Sequence, residues 1–127
     1  MTQTAKIILA LGLGIIIGAA AIPSLQAQPG RHGAYIVAET RVNDPAGFME
    51  YIRREPATLP AFHGRVLARA LPDMREGTAP DGTVAIIAFD TVQEANQWYN
   101  SPVSAKLREL RQGAAKSRVY ILDGAVQ

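Results

Sequence analysis

The segment TVAIIAF, Thr83 to Phe89, carries one polar side chain, at its first position, and is otherwise apolar. Successive residues of a strand point to opposite faces of a sheet, so a strand apolar at both parities has to be covered on both sides. Helices from the same chain can cover one face. The other face needs a cover of its own.

The neighbouring segments supply the rest of such a sheet. AYIVAETRV, Ala34 to Val42, reads as a first strand with Ile36, Ala38 and Val42 on one face and Tyr35, Val37, Glu39 and Arg41 on the other. RVLARAL, Arg65 to Leu71, reads as a second, with Arg65, Leu67 and Arg69 on one side and Val66 and Ala68 on the other. The turn-forming stretch Pro72 to Gly82 makes the exposed connection of a hairpin into Thr83–Phe89, and SRVYILDG, Ser117 to Gly124, is the fourth strand.

Two helical stretches separate these strands. Asp44-Pro45 starts the first, with Asp44 placed to accept hydrogen bonds from first-turn amides and the proline at a position where its missing N–H costs nothing. Phe48, Tyr51 and Ile52 share its apolar face. Pro56 is expected to stop or kink it, and residues 57–62 to add a short irregular helical piece before Gly64. In the second stretch Thr91 to Glu94 matches a capping box, and Ala95, Trp98 and Tyr99 follow at helical spacing. Ser101-Pro102 is then a fresh helix start, with Val103, Leu107, Leu110 and Ala114 recurring on one face. Two helical pieces meeting at an angle let Trp98 and Tyr99 wedge beneath the bend. The order β-α-β-β-α-β predicts a ferredoxin-like α+β domain over residues 34–124, a four-stranded antiparallel sheet with its helices on one face. A second copy of the chain is the simplest cover for the other face, so a homodimer is expected.

Ahead of this domain, Ile7 to Ile22 is uncharged throughout, follows Lys6, and gives way to Pro23-Ser24-Leu25-Gln26-Ala27. That layout predicts a signal peptide over residues 1–27, cleaved near Ala27, and a periplasmic or secreted protein. Residues 28–33 read as a flexible lead. The rival is an uncleaved membrane anchor, against which the shortness of the apolar run argues, since a span wants about 20 residues. The chain has no cysteine, hence neither a disulfide framework nor a lipid-anchored cysteine. Its net charge of +2 includes Lys6, and no Lys/Arg run offers nucleic acid an electrostatic footprint.

Tyr35-Ile36, Asp44-Pro45, Tyr51, Gly64-Arg65 with Leu67 and Arg69, Glu76-Gly77, Phe89, Glu94-Ala95, Trp98-Tyr99, Ser101-Pro102 and Arg111 together resemble the domain of unknown function 1330 family. The most specific part is WYNSP with an arginine nine residues past the proline. The similarity spans about Ala34 to Gly124 and implies the ferredoxin-like fold of the dimeric α+β barrel superfamily. This chain departs from the family pattern at Ser104, where an aromatic is usual, and at His63-Gly64, where a Gly-Gly pair is usual. The family has no settled activity. Its wider superfamily includes cofactor-free monooxygenases, muconolactone isomerase-like enzymes and haem-degrading enzymes, so the resemblance implies a fold and a dimer and leaves the reaction open.

The residues themselves offer three candidates for a site. Trp98 and Tyr99 either stack a planar ligand or anchor the bend as core. His63, the sole histidine of the folded part, is either a general base or a loop residue, with no nucleophile of matching pattern beside it. Glu39, Arg65 and Arg69, with Tyr35 and Tyr120 as neighbours, put charge on strand faces, where it must pair or bind something. The two arginines either form ion pairs with Glu39 or across a dimer, or clamp an anionic ligand. No His/Asp/Glu group shows metal-ligand spacing and no phosphate loop or dinucleotide fingerprint is present, so neither metal nor cofactor is expected. The reading is an exported homodimeric small-molecule-binding domain for a small anionic or aromatic metabolite. Its alternatives are a cofactor-independent enzyme of monooxygenase or isomerase type and a structural partner-binding module.

Overall fold

The computed structural model describes residues 33–124. The signal segment at 1–27 and all but the last residue of the lead at 28–33 lie outside the described residues.

The elements run β1 (Ala34–Val42), α1 (Pro45–Thr58), a 3₁₀ turn (Pro60–Phe62), β2 (Arg65–Ala70), β3 (Thr83–Phe89), α2 (Val92–Tyr99), α3 (Pro102–Ala114) and β4 (Ala115–Asp123). The sheet order is β2-β3-β1-β4, antiparallel throughout. The fold is therefore the ferredoxin-like α+β arrangement. The apolar β3 sits inside the sheet, paired with β1 and β2, as its lack of polar side chains requires.

One face of the sheet carries the helices. Ile36 is opposite Ile87 and Ile121, and these, with Ala34, Phe89 and Val66, pack against Phe48 and Tyr51 of α1, Ala95 and Trp98 of α2, and Leu107 and Ala114 of α3. The other face holds Tyr35 opposite Leu122 and Val37 opposite Tyr120. Tyr35, Tyr120 and Leu122 are 38%, 40% and 49% exposed, an apolar surface bare of any helix.

Helix ends follow local chemistry with one exception. Thr91 accepts a hydrogen bond from the Glu94 amide at 3.2 Å, and Ser101 accepts one from the Ser104 amide, also at 3.2 Å. Ser101 additionally donates to the Trp98 carbonyl at 2.6 Å, closing the bend between α2 and α3. Asp44 caps α1 by position but makes no side-chain cap hydrogen bond. Its backbone N–H instead donates to the Ala114 carbonyl at 2.9 Å, tying the start of α1 to the end of α3. Pro56 lies inside α1, which runs on to Thr58. Beyond the proline the Thr58 hydroxyl bonds the Glu55 carbonyl at 2.7 Å.

The structure corrects the second strand. Val66 faces Ile87 and Ala68 faces Ile86, so Leu67 is an extra residue, a β-bulge. A bulge shifts every later side chain to the other face. Arg65, opposite Ala88, therefore lies on the open face, while Arg69, opposite Ala85, lies under the helices. The expectation that both arginines share a face fails for that reason.

Candidate functional site

Glu55 is fully buried, one turn beyond Tyr51 on the inner face of α1. The Tyr51 hydroxyl donates to Glu55 Oε2, and Arg69 Nη2, arriving from β2 past the bulge, donates to Oε1. Arg111 of α3 is 8% exposed and lies with its guanidinium 5.8 Å from the centre of the Tyr51 ring; Arg69 lies at the same distance. Tyr51, Glu55, Arg69 and Arg111 thus form one cluster between the helices and the sheet. Burial pushes the Glu55 carboxyl above the usual carboxylate range, opposed first by the charge of Arg69. Burial likewise pulls the Arg111 guanidinium down, with Tyr99 and Glu55 pulling it back.

The cluster holds two guanidinium groups to one carboxyl. Arg111 Nε is buried and has no hydrogen-bond partner. An orphaned buried donor carries its full desolvation cost, so this atom marks either a cost in the apo protein or the place of a missing acceptor.

The sequence candidates fall differently. Arg69 pairs with Glu55 and not with Glu39, whose partner is Arg118, directly opposite on β4 and bonded at 2.9 Å through Nη2. That bond holds the Glu39 carboxyl below its ordinary range. Arg65 is exposed on the open face, in the cross-strand row of Ala88, Tyr35 and Leu122, one row from Tyr120. Trp98 is 4% exposed, tilted against Phe89 at 5.8 Å, and donates through Nε1 to the Thr58 hydroxyl at 3.0 Å. It is core at the bend, with its polar atom satisfied. Tyr99 is half-buried and covered by the Arg108 guanidinium at 4.2 Å.

Two cavities lie elsewhere. One of about 440 Å³ borders Glu39, Asp81, Lys116 and Arg118. The other, about 820 Å³, runs along the outer seam of α1 and α3 over Ala57, Val103, Leu107 and Leu110 with Arg53 and Arg54 at its rim. Glu39 is paired with Arg118 beside the first, and Arg53 and Arg54 share Glu50 at the rim of the second. Among the described residues the buried side-chain polar atoms without a partner are Arg111 Nε and Glu94 Oε2. Those two atoms point to the places where chemistry is unfinished.

Sequence reading passed over Glu55, although Phe48, Tyr51, Ile52 and Glu55 occupy one helical stripe and a carboxylate on such a stripe is the signal to look for. It also passed over the grouping of His63 with Asp90 and Glu94, whose ligand atoms lie within 4.8 Å of one another. His63 comes from the turn before β2, while Asp90 and Glu94 come from the junction of β3 and α2, so no single spacing motif announces it.

Tyr51, Arg69 and Arg111, three of the cluster's four members, are also among the residues on which the family resemblance rests. The sequence profile of the domain of unknown function DUF1330 matches residues 33–125. The chain belongs to that family. No curated protein matches it. Among solved structures, a similar fold is found in a protein of unknown function from Rhodopseudomonas palustris, 18% identical, with a TM-score of 0.60 over 76% of this chain and 85% of that one. SnoaB, a cofactor-independent oxygenase from Streptomyces nogalater, is 15% identical, with a TM-score of 0.56 over 76% of this chain and 96% of its own. At such identities the likeness establishes the fold alone.

Proposed function

We propose that this DUF1330 domain is an exported homodimer that binds a small anionic metabolite, a carboxylate being the first expectation, at Tyr51, Glu55, Arg69 and Arg111. The observation that carries the reading is the buried charge imbalance, two guanidinium groups against one carboxyl, with Arg111 Nε left unbonded. A ligand carboxylate supplies the acceptor and the negative charge together. Arg69 keeps 19% of its side chain exposed and so gives the cluster a route to solvent.

Export rests on the charge-free segment Ile7 to Ile22 and the polar exit at residues 23–27. Dimerisation rests on the bare sheet face, where Tyr35, Tyr120 and Leu122 form an apolar surface that a second copy would cover.

A second reading, a cofactor-independent enzyme, draws on one feature of the same cluster. Glu55 has a carboxyl raised by burial and a direct bond to the Tyr51 hydroxyl, the components of an acid–base pair. The oxygenase SnoaB shares the fold and lends this reading no further weight.

Thermal-shift measurements with a panel of small carboxylates and inorganic phosphate test the binding reading. A carboxylate that stabilises the wild-type protein and has no effect on Arg111→Met supports it. Equal stabilisation of both proteins, or none of either, overturns it. Consumption of the bound compound moves the assignment to the enzymatic reading.

A further inference from the structure

The second orphaned atom, Glu94 Oε2, belongs to a different place in the molecule. His63 is the single non-glycine residue with positive φ among the described residues, with φ 56° and ψ 32°. A side chain in the left-handed region is disfavoured, so a histidine there keeps its position at an energetic cost that glycine avoids. Gly64 next to it answers a separate need. A Cβ at Gly64 would lie 2.6 Å from Phe89 Cε1, so the turn closes directly onto the end of β3.

That close approach places the imidazole beside the start of α2. His63 Nδ1 is 2.7 Å from Glu94 Oε1, and Asp90, between β3 and the Thr91 cap, brings a second carboxylate to the same spot. One ligand atom from each of the three residues lies within 4.8 Å of the other two. Two carboxylates and one imidazole give the group negative charge with a nitrogen donor among oxygens.

We propose that His63, Asp90 and Glu94 form a binding site for a divalent transition-metal ion, with zinc the first expectation. Zinc takes histidine nitrogen and carboxylate oxygen at about 2.0–2.2 Å in tetrahedral geometry, which sets neighbouring ligand atoms about 3.3 Å apart. His63 and Asp90 are exposed, so the proposal asks their side chains to rotate to close the remaining gap. Glu94 lies in the first turn of α2. Three protein ligands leave one position open to water or to an outside ligand. The capping of α2 places Glu94 but does not call for His63 and Asp90 to converge on it.

The test is calorimetric titration of zinc into the purified full chain, free of any histidine tag, in metal-free buffer. His63→Gly is the informative variant, because glycine suits the left-handed backbone and the protein keeps its fold. Expected are one zinc per chain, affinity lowered by about tenfold or more in both His63→Gly and Asp90→Asn, and no change in His32→Gln. Zinc should raise the melting temperature of the wild type and not that of His63→Gly. Absence of saturable binding, binding that survives His63→Gly, or binding indifferent to Asp90→Asn overturns the proposal. Loss of binding in His32→Gln alone assigns the metal to the histidine before the domain and overturns it equally.

Discussion

Arg65 and Arg69 stand on opposite faces of the sheet although both belong to β2, because the bulge at Leu67 inserts one residue between them. Their surroundings differ accordingly: Arg65 is exposed, and Arg69 holds the buried Glu55. Arg65→Ala should leave the denaturation midpoint unchanged. Arg69→Met, which strands a buried carboxylate, should cost about 3–5 kcal/mol, and adding Glu55→Gln should recover much of that loss. Urea titration of the two single variants and the double variant checks this. Equal effects at Arg65 and Arg69 would contradict the face assignment.

The same carboxyl predicts a pH dependence. Burial raises the folded-state value of Glu55 above its unfolded value, so the folded protein holds the proton over a range in which the unfolded chain has released it. Stability from this group is therefore full below the unfolded pKa, about 4.3, and declines as pH rises through the folded value. Glu94 runs the opposite way: its lowered value makes its contribution present at neutral pH and lost as pH falls. Glu55→Gln should flatten the decline on the alkaline side of pH 4.3 and leave the acid limb in place. Denaturation midpoints measured across the acid-to-neutral range separate the two groups.

Trp98 is predicted to be structural. Its ring is buried against Phe89 and its N–H is satisfied by Thr58. Trp98→Ala should cost about 3–5 kcal/mol in unfolding free energy. Trp98→Phe should cost less while still losing the bond to Thr58. A Trp98→Ala protein that melts like the wild type but no longer binds a carboxylate would move the tryptophan from the core to the site.

The elements themselves were legible in the sequence. The apolar run Thr83–Phe89 and the caps at Thr91 and Ser101 state their roles through local periodicity and side-chain chemistry, and the structure places them as read. The bulge was not legible, because period-two reading assumes one residue per step and RVLARA has no glycine to announce an extra one. That single residue moved Arg69 from the open face to the interior and changed its partner from Glu39 to Glu55. Glu39 in turn found Arg118, a pairing set by β1–β4 register that neither strand states alone. The His63 group was hidden for a similar reason: Glu94 already had a local explanation as a capping residue, and its second partner comes from the turn before β2.

The open face of the sheet is apolar across three of its strands. β3 contributes Ile86 and Ala88 to that side, β1 contributes Tyr35 and Val37, and β4 contributes Tyr120 and Leu122. Buried apolar area stabilises association by about 25 cal/mol per Å², and a stable interface needs roughly 800 Å² from each partner. A four-stranded face of this composition can supply it, with the Glu39–Arg118 pair at one end adding polar contacts that fix the register. The chain should therefore run as a dimer in light scattering at micromolar concentration. Tyr120→Glu sets a charge at the middle of β4, where it would meet either its own copy or other apolar residues of the partner, and should yield a folded monomer. Tyr120 is 40% exposed in the single chain, so the substitution itself leaves the core intact. A wild-type protein that stays monomeric, or a Tyr120→Glu protein that remains a dimer, would place the interface elsewhere.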